Sequence, residues 1–352
     1  LKLSRRDLHR IVLGIGAVAL VPVAARQAIV LGAKMAAPDP LALVDPELLP
    51  AARMLMERGF PPMTREALPA IRAGWVTPPL LPAPEVVQKT IPGPAGAPPV
   101  PIELISPGPS ARLRPAILHI HGGGMISGRA RHLTAFCQSL AAEFGAVVVN
   151  VDYRLSPETP FPGPVLDNYA ALEWMAANAQ SLGIDPARIA IIGESAGGGL
   201  AAMVALMARD RGKVPLCQIV LIYPMLDDRT GSMRAVPPQI GRIGWTAEEN
   251  RFGWSSFLGA PAGSEKVPRG SVPARERNLA GLPPTFIGVG TLDLFADEDI
   301  AFSRRLIAAG VKTNLHVTPG AWHGFDIFVP EARVSRAFTA AWKADLRSAF
   351  GS

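Results

Sequence analysis

Cysteine is nearly absent: in 352 residues it occurs only as Cys137 and Cys217. No CxxC pair and no Cys/His cluster is present, so the sequence offers no thiolate metal site and no disulfide framework. Cys137 falls on a predicted helix and Cys217 beside a predicted strand, which reads as two free, buried thiols; a single bridge is the alternative. Charge is sparse too, at 18% of residues against 49% apolar, which excludes bulk disorder and leaves material for a substantial core. The net charge is +6, but the arginines are scattered and no basic run is interleaved with aromatics. A nucleic-acid partner is therefore not indicated, and the excess reads as a solubility charge. A repeat period is also missing, so the 36 Pro and 34 Gly read as turns and loops rather than as collagen or a solenoid. The length suits one large domain or two ordinary ones.

The first 36 residues are a separate object. Ser4-Arg5-Arg6-Asp7-Leu8 precedes a short apolar run from Ile11 to Val21, and small residues follow at Ala24-Ala25. A charged start, a short apolar stretch and a small-residue cleavage pattern predict an export signal, and the paired Arg after Ser is similar to the twin-arginine type. The run is too short to span a bilayer comfortably, and Arg26 interrupts it. An uncleaved anchor and an amphipathic helix of the folded protein are the alternatives. The expected location is periplasmic or secreted, with the cytoplasm as alternative, and membrane contact would come only through this segment if it is retained.

Residues 37–100 are expected to supply N-terminal cap helices and a linker. Leu41, Val44, Leu48, Leu49, Met54, Leu55 and Met56 recur at roughly helical spacing, and a Pro-rich connection runs from Pro78 to Pro101. From 101 to 352 strands and helices alternate. Apolar runs at 115–121, 146–152, 188–193, 218–223, 285–290 and 314–317 predict strands buried on both faces. Helices are expected at 133–144, 167–182, 198–211, 297–309 and 331–350. The pattern predicts an α/β protein with a mostly parallel central sheet flanked by helices, in which ligands bind at the carboxyl ends of the strands. About 230–263 interrupts the alternation with Trp245, Phe252, Trp254 and Phe257 and a helix at 247–258, and it reads as a cap insertion.

Gly193-Glu194-Ser195-Ala196-Gly197 matches G-x-S-x-G between a strand and a helix. A serine on so sharp a turn needs minimal side chains two positions either side, and the helix start offers N–H groups to developing negative charge. Ser195 is the candidate nucleophile. His121-Gly122-Gly123-Gly124 ends the first apolar strand, where glycines let the main chain approach a ligand. Main-chain N–H groups of this run, together with that of Ala196, are the candidate oxyanion donors. A phosphate loop is excluded because no Lys-Ser/Thr pair follows at the required spacing, and His121 reads as shaping the loop. His323 lies in a loop after the last strand and is the candidate general base; His316, inside that strand, reads as structural. Asp293 follows the strand ending at Gly290 and is the candidate orienting acid, with Asp297 the runner-up. Asp297, Glu298 and Asp299 read as the first turn of a helix, where acids suit the dipole. This set predicts attack of Ser195 on an ester carbonyl, proton transfer to His323 and an acyl-enzyme released by water, with no metal or organic cofactor called for.

These motifs, with Val151-Asp152-Tyr153-Arg154-Leu155-Ser156-Pro157-Glu158, Phe161-Pro162, Asp167, Trp174, Asp185-Pro186 and His323-Gly324-Phe325, resemble the hormone-sensitive-lipase-like (bacterial family IV) esterases. The resemblance runs from about Asp45 to the C-terminus. It implies the α/β-hydrolase fold with a two-part helical cap and a serine carboxylesterase of short- to medium-chain acyl esters. It further implies oxyanion donors at Gly123, Gly124 and Ala196, and a structural role for Asp152, Tyr153 and Arg154 near the glycine loop. Members often dimerise, so a homodimer is an open expectation. Three features depart from the family pattern: Glu194 stands where Asp or Thr is usual, Asp293-Leu294-Phe295 replaces Asp-Pro-Leu, and the export-like start is atypical. The other readings are a non-catalytic binding protein for small molecules on the same fold, and a hydrolase of amides or carbamates.

Overall fold

Near-continuous Val, Ile and Leu runs have no polar face to offer water, so they are stable only between two layers of helix. The computed structural model describes residues 39–59 and 61–351, and the export-signal reading of 1–36 lies outside them. The strands are β1 (Val86–Ile91), β2 (Val100–Ile105), β3 (Arg114–Ile120), β4 (Val147–Val151), β5 (Ile184–Glu194), β6 (Gln218–Ile222), β7 (Thr285–Gly290) and β8 (Thr313–Thr318). They form one eight-stranded sheet in the order β1-β2-β4-β3-β5-β6-β7-β8. β1 and β2 pair antiparallel with each other, as do β2 and β4, and every other pair is parallel. This is the α/β-hydrolase fold.

The helices are α1 (Leu49–Arg58), α2 (Leu68–Ala73), α3 (Thr134–Phe144), α4 (Gly163–Ala177), α5 (Ala179–Leu182), α6 (Ala196–Arg211), α7 (Ala247–Leu258), α8 (Ala296–Ala308), α9 (Phe325–Phe328) and α10 (Arg333–Phe350). Alternate residues of each strand serve opposite cores. On one face Ile117, Val148, Ala190 and Phe286 pack with α3 and α10 through Leu140, Phe338 and Trp342. On the other, Leu118, Val149 and Ile191 pack with α4, α6 and α8 through Leu172, Leu200 and Phe302.

The sheet begins earlier than the sequence predicts. β1 and the start of β2 lie within the stretch expected to be cap and linker, so part of 37–100 belongs to the central sheet. The four central side chains of β1 are exposed, so this antiparallel edge strand carries no apolar run to announce it. The helical reading of 39–75 reduces to two short helices, α1 and α2, each with Pro in its first turn. The single helix expected at 167–182 starts at Gly163 and breaks after Ala177, where the Asn178 side chain donates to the Trp174 carbonyl at 2.8 Å. Cys137 and Cys217 are both free, the first buried in α3 and the second half-buried.

Candidate active site

β5 runs directly through Ser195 into α6, and Ser195 carries the turn at φ 57°, ψ −121°. A residue other than glycine in such a region costs about 1–3 kcal/mol and persists only where its surroundings hold it. The flanking glycines are required by contact. A Cβ on Gly193 would stand 2.2 Å from the Gly197 carbonyl oxygen, and one on Gly197 would stand 2.0 Å from that of Ile120. The next strand grips the turn through its main chain: Ser195 N–H donates to Ile222 O at 2.9 Å, and Met225 N–H donates to Ser195 O at 2.9 Å.

His323 follows β8 in a loop. Its Nε2 lies 2.9 Å from Ser195 Oγ and its Nδ1 2.8 Å from Asp293 Oδ2. The other Asp293 oxygen accepts the Phe295 N–H at 2.9 Å, which fixes the carboxylate. A carboxylate at Nδ1 requires hydrogen there, leaving Nε2 as the acceptor for the serine hydroxyl. Two rings meet the imidazole edge-on, Tyr223 at 4.8 Å and Phe295 at 5.2 Å between centroids. Asp293 is wholly buried, whereas Ser195 and His323 keep 9% and 8% exposure, so only those two can be reached from outside. Asp297, the runner-up acid, is exposed on α8 and takes no part. His316 is half-buried in β8 with its ring edge-on to Phe338.

The glycine loop after β3 comes to the same place. A Cβ on Gly122 would stand 3.3 Å from Ser195 Cβ. Gly123 and Gly124 have φ of 110° and 63°, and the Gly123 carbonyl is engaged within the loop by the N–H groups of Ile126 (3.1 Å) and Ser127 (2.9 Å). Ala196 is the first residue of α6, where N–H groups have no intrahelical acceptor. His121 is buried, stacks on Tyr153 at 4.2 Å, and bonds through Nδ1 to the Gly122 carbonyl at 2.8 Å. Burial lowers its pKa to about 4, so it is a neutral strut for the loop. Tyr153 O–H donates to the His121 carbonyl at 2.8 Å, and Asp152 Oδ1 accepts the Ala130 N–H at 3.0 Å. Arg154 grips buried Asp167 with Nε at 2.8 Å and Nη2 at 2.6 Å. The expected structural trio thus sits behind the loop.

Other residues crowd this site, among them the segment that the sequence marks as a cap insertion. The 230–263 segment lies directly on the machinery: a Cβ on Gly124 would stand 2.4 Å from the Trp245 ring, and one on Gly253 2.9 Å from the Gly124 carbonyl oxygen. A cleft of about 320 Å³, lined by Leu55, Met56 and Met63 and by Ile243, Gly244 and Glu249, joins the N-terminal helices to this segment. Thr246-x-x-Glu249, a capping box starting α7, was the readable hint that this helix is held firmly. Glu298 and Asp299 do stand in the first turn of α8, but both are buried, and Glu298 Oε1 accepts the N–H groups of Leu226 (2.7 Å) and Asp227 (3.0 Å). Tyr223 O–H donates to Asp326 Oδ1 at 3.0 Å, and burial raises the Asp326 carboxyl to about 6. Among the described residues no group of His, Cys, Asp and Glu is arranged to hold a metal ion.

A family model described as the alpha/beta hydrolase fold matches residues 117–327. The chain belongs to this α/β-hydrolase family. It is 35% identical over 253 residues to the esterase LipI of Mycobacterium tuberculosis, spanning 70% of this chain and 77% of that one. It is 33% identical over 301 residues to the carboxylesterase NlhH of the same organism, spanning 82% and 92%. Among solved structures a bacterial heroin esterase superposes with a TM-score of 0.81 at 38% identity, covering 89% of this hydrolase and all of the other chain. The resemblance to the hormone-sensitive-lipase-like esterases is borne out at this level.

Proposed function

We propose that this α/β-hydrolase is a serine carboxylesterase acting through an acyl-enzyme. The observation that carries the reading is the unbroken line from Asp293 Oδ2 through His323 to Ser195 Oγ, with contacts of 2.8 and 2.9 Å, beside a glycine loop. Ser195 Oγ attacks the ester carbonyl carbon while His323 Nε2 takes its proton, and Asp293 stabilises the imidazolium. The N–H groups of Gly123, Gly124 and Ala196 receive the carbonyl oxygen as it gains charge; loss of one such donor costs about 3–4 kcal/mol of barrier. The imidazolium then protonates the departing alcohol. In the second half His323 deprotonates a water, which displaces Ser195 from the acyl carbon. No step needs an electron carrier or a metal Lewis acid, so the residues named are chemically sufficient.

Trp245 against Gly124 and the cleft between α1 and residues 242–249 support a cap role for both segments. The preference for short- to medium-chain acyl groups is what the family resemblance implies. Export to the periplasm or beyond is supported by the paired arginines and apolar run of the first 36 residues, and N-terminal sequencing of secreted material tests it.

Aryl esters of graded acyl length, run on the parent and on Ser195→Ala, test the function. The expected result is turnover highest for short to medium chains and lost in the variant. Undiminished turnover in Ser195→Ala overturns the mechanism, and faster hydrolysis of long-chain triglyceride emulsions overturns the chain-length preference.

A further inference from the structure

Five strands, adjacent in the sheet, each contribute one polar side chain to the same face. Gln88 of β1 lies in register with Glu103 of β2, Glu103 with Asn150 of β4, and Asn150 with His119 of β3. Glu194, the last residue of β5, completes the row. Gln88 Nε2 donates to Glu103 Oε1 at 3.0 Å, and Asn150 Nδ2 donates to Glu103 Oε2 at 2.8 Å. Asn150 Oδ1 meets His119 Nδ1 at 2.8 Å, and His119 Nε2 meets Glu194 Oε1 at 2.9 Å. Glu103, Asn150, His119 and Glu194 are all buried.

The proton positions follow from the donors. Asn150 Nδ2 gives its two hydrogens to Glu103 Oε2 and the Ala130 carbonyl, so the oxygen of that amide faces His119. His119 Nδ1 therefore carries hydrogen. The remaining contact, Nε2 to Glu194, closes only with one proton between the two groups. The pair is neutral overall whether it is imidazole with carboxylic acid or imidazolium with carboxylate, as burial demands.

This pair adjoins the strained residue. Ser195 is held from the β6 side by main-chain bonds to Ile222 and Met225. On the β3 side the glycine loop approaches through Gly122, and the side chain preceding the serine is anchored to His119. We propose that the Glu194–His119 bridge is a positioning device that holds the Ser195 turn from the β3 side, with Asn150 fixing the imidazole. The proposal rests on the reading of Ser195 as nucleophile. Glu194 touches no reacting atom; it acts through the backbone it shares with Ser195.

The test compares Glu194→Ala, Glu194→Gln, His119→Ala and the double alanine variant on a short aryl ester, with kcat expressed per serine titrated by a phosphonate. Glu194→Ala is expected to lower kcat roughly tenfold to a hundredfold, the scale of a misplaced reacting group, with KM nearly unchanged. Glu194→Gln is expected to recover most of that loss, because its amide N–H can donate to Nε2 of a neutral His119. The double alanine variant is expected to be no slower than Glu194→Ala, as befits two halves of one bridge. Parent-like kcat in Glu194→Ala, a glutamine variant as slow as the alanine one, or losses that multiply overturns the proposal. Should Glu194→Ala fail to fold, His119→Leu placed in the Glu194→Gln background removes the bridge without stranding a charge. It must then be slower than Glu194→Gln alone, and an equal kcat overturns the proposal. Ser195→Ala, run in parallel, separates the two readings: activity surviving there sinks both, whereas activity lost there with the bridge series unmoved sinks only the bridge.

Discussion

Gly244 presses so closely on His323 that a Cβ at position 244 would stand 2.2 Å from the His323 carbonyl oxygen. Gly244 has φ 81°, in the left-handed region, so a side chain there is doubly opposed. The segment that carries Trp245 over the glycine loop is thereby set against the backbone of the proposed base. Gly244→Ala is expected to push the His323 loop outward and lower kcat by roughly tenfold to a hundredfold. The unfavourable φ alone should cost about 1–2 kcal/mol of stability. Steady-state kinetics and a thermal melt check both. A variant with parent kcat would mean that the two loops can part without moving the imidazole.

The two candidate acids make a sharper comparison. Asp293 is sealed and bonded to His323 Nδ1, whereas Asp297 is exposed in the first turn of α8, directly before the buried Glu298 and Asp299. Asp293→Asn should leave the fold intact but favour the wrong imidazole tautomer, lowering kcat by about 10⁴-fold. Asp297→Asn should change kcat by no more than about twofold, as expected for an exposed surface substitution. Equal kcat values for the two variants would remove Asp293 from its proposed role.

What the sequence made legible divides along physical lines. The strands β3 to β7 are inner strands buried on both faces along most of their length, so each had to carry a near-continuous apolar run, and each is visible as one; β8, at the parallel edge, is only half-buried. Ser195, Asp293 and His323 stand just beyond strand ends because the topology puts ligands there. β1 was invisible for the opposite reason: as an edge strand with its central side chains in solvent, it carries Gln88, Lys89 and Thr90 instead of an apolar face. The burial of Glu298 and Asp299 was equally hidden, because acids in a first helical turn look the same in sequence whether they meet solvent or the Leu226 and Asp227 N–H groups. His119 and Glu194 could not be paired from sequence, since their contact depends on β3 and β5 being neighbours.

Behind the glycine loop, Arg154 is expected to matter for stability more than for chemistry. Its guanidinium is part-exposed, but the Asp167 carboxylate it grips is 1% exposed. Removing the arginine strands a buried charge, which typically costs about 3–5 kcal/mol. Arg154→Ala should therefore unfold at markedly lower denaturant, whereas Arg154→Ala combined with Asp167→Asn should regain part of the loss. A double variant no more stable than the single one would show that the damage comes from lost packing instead of from the unpaired carboxylate. The denaturation curves should be compared at one fixed pH near neutrality.

Asp299 gives the stability a slope with pH. It is wholly buried in α8, and neither carboxyl oxygen has a hydrogen-bond partner. Burial raises its pKa well above the ordinary value, and repulsion from Glu298 and Asp293 raises it further. An unfolded chain releases this proton at about pH 3.9, the ordinary Asp value. Above that pH the folded state holds more protons than the unfolded one, so the group's contribution to stability falls as pH rises, until the folded carboxyl itself ionises. Asp299→Ala deletes the slope. It also deletes a buried polar group without a partner and installs the best helix former. The variant is thus expected to melt close to the parent at pH 4 and above it at pH 8, the gap widening in between. Thermal midpoints across that range check the sign, and a gap that stays constant with pH would show that Asp299 is ionised in the folded protein as readily as in the unfolded chain.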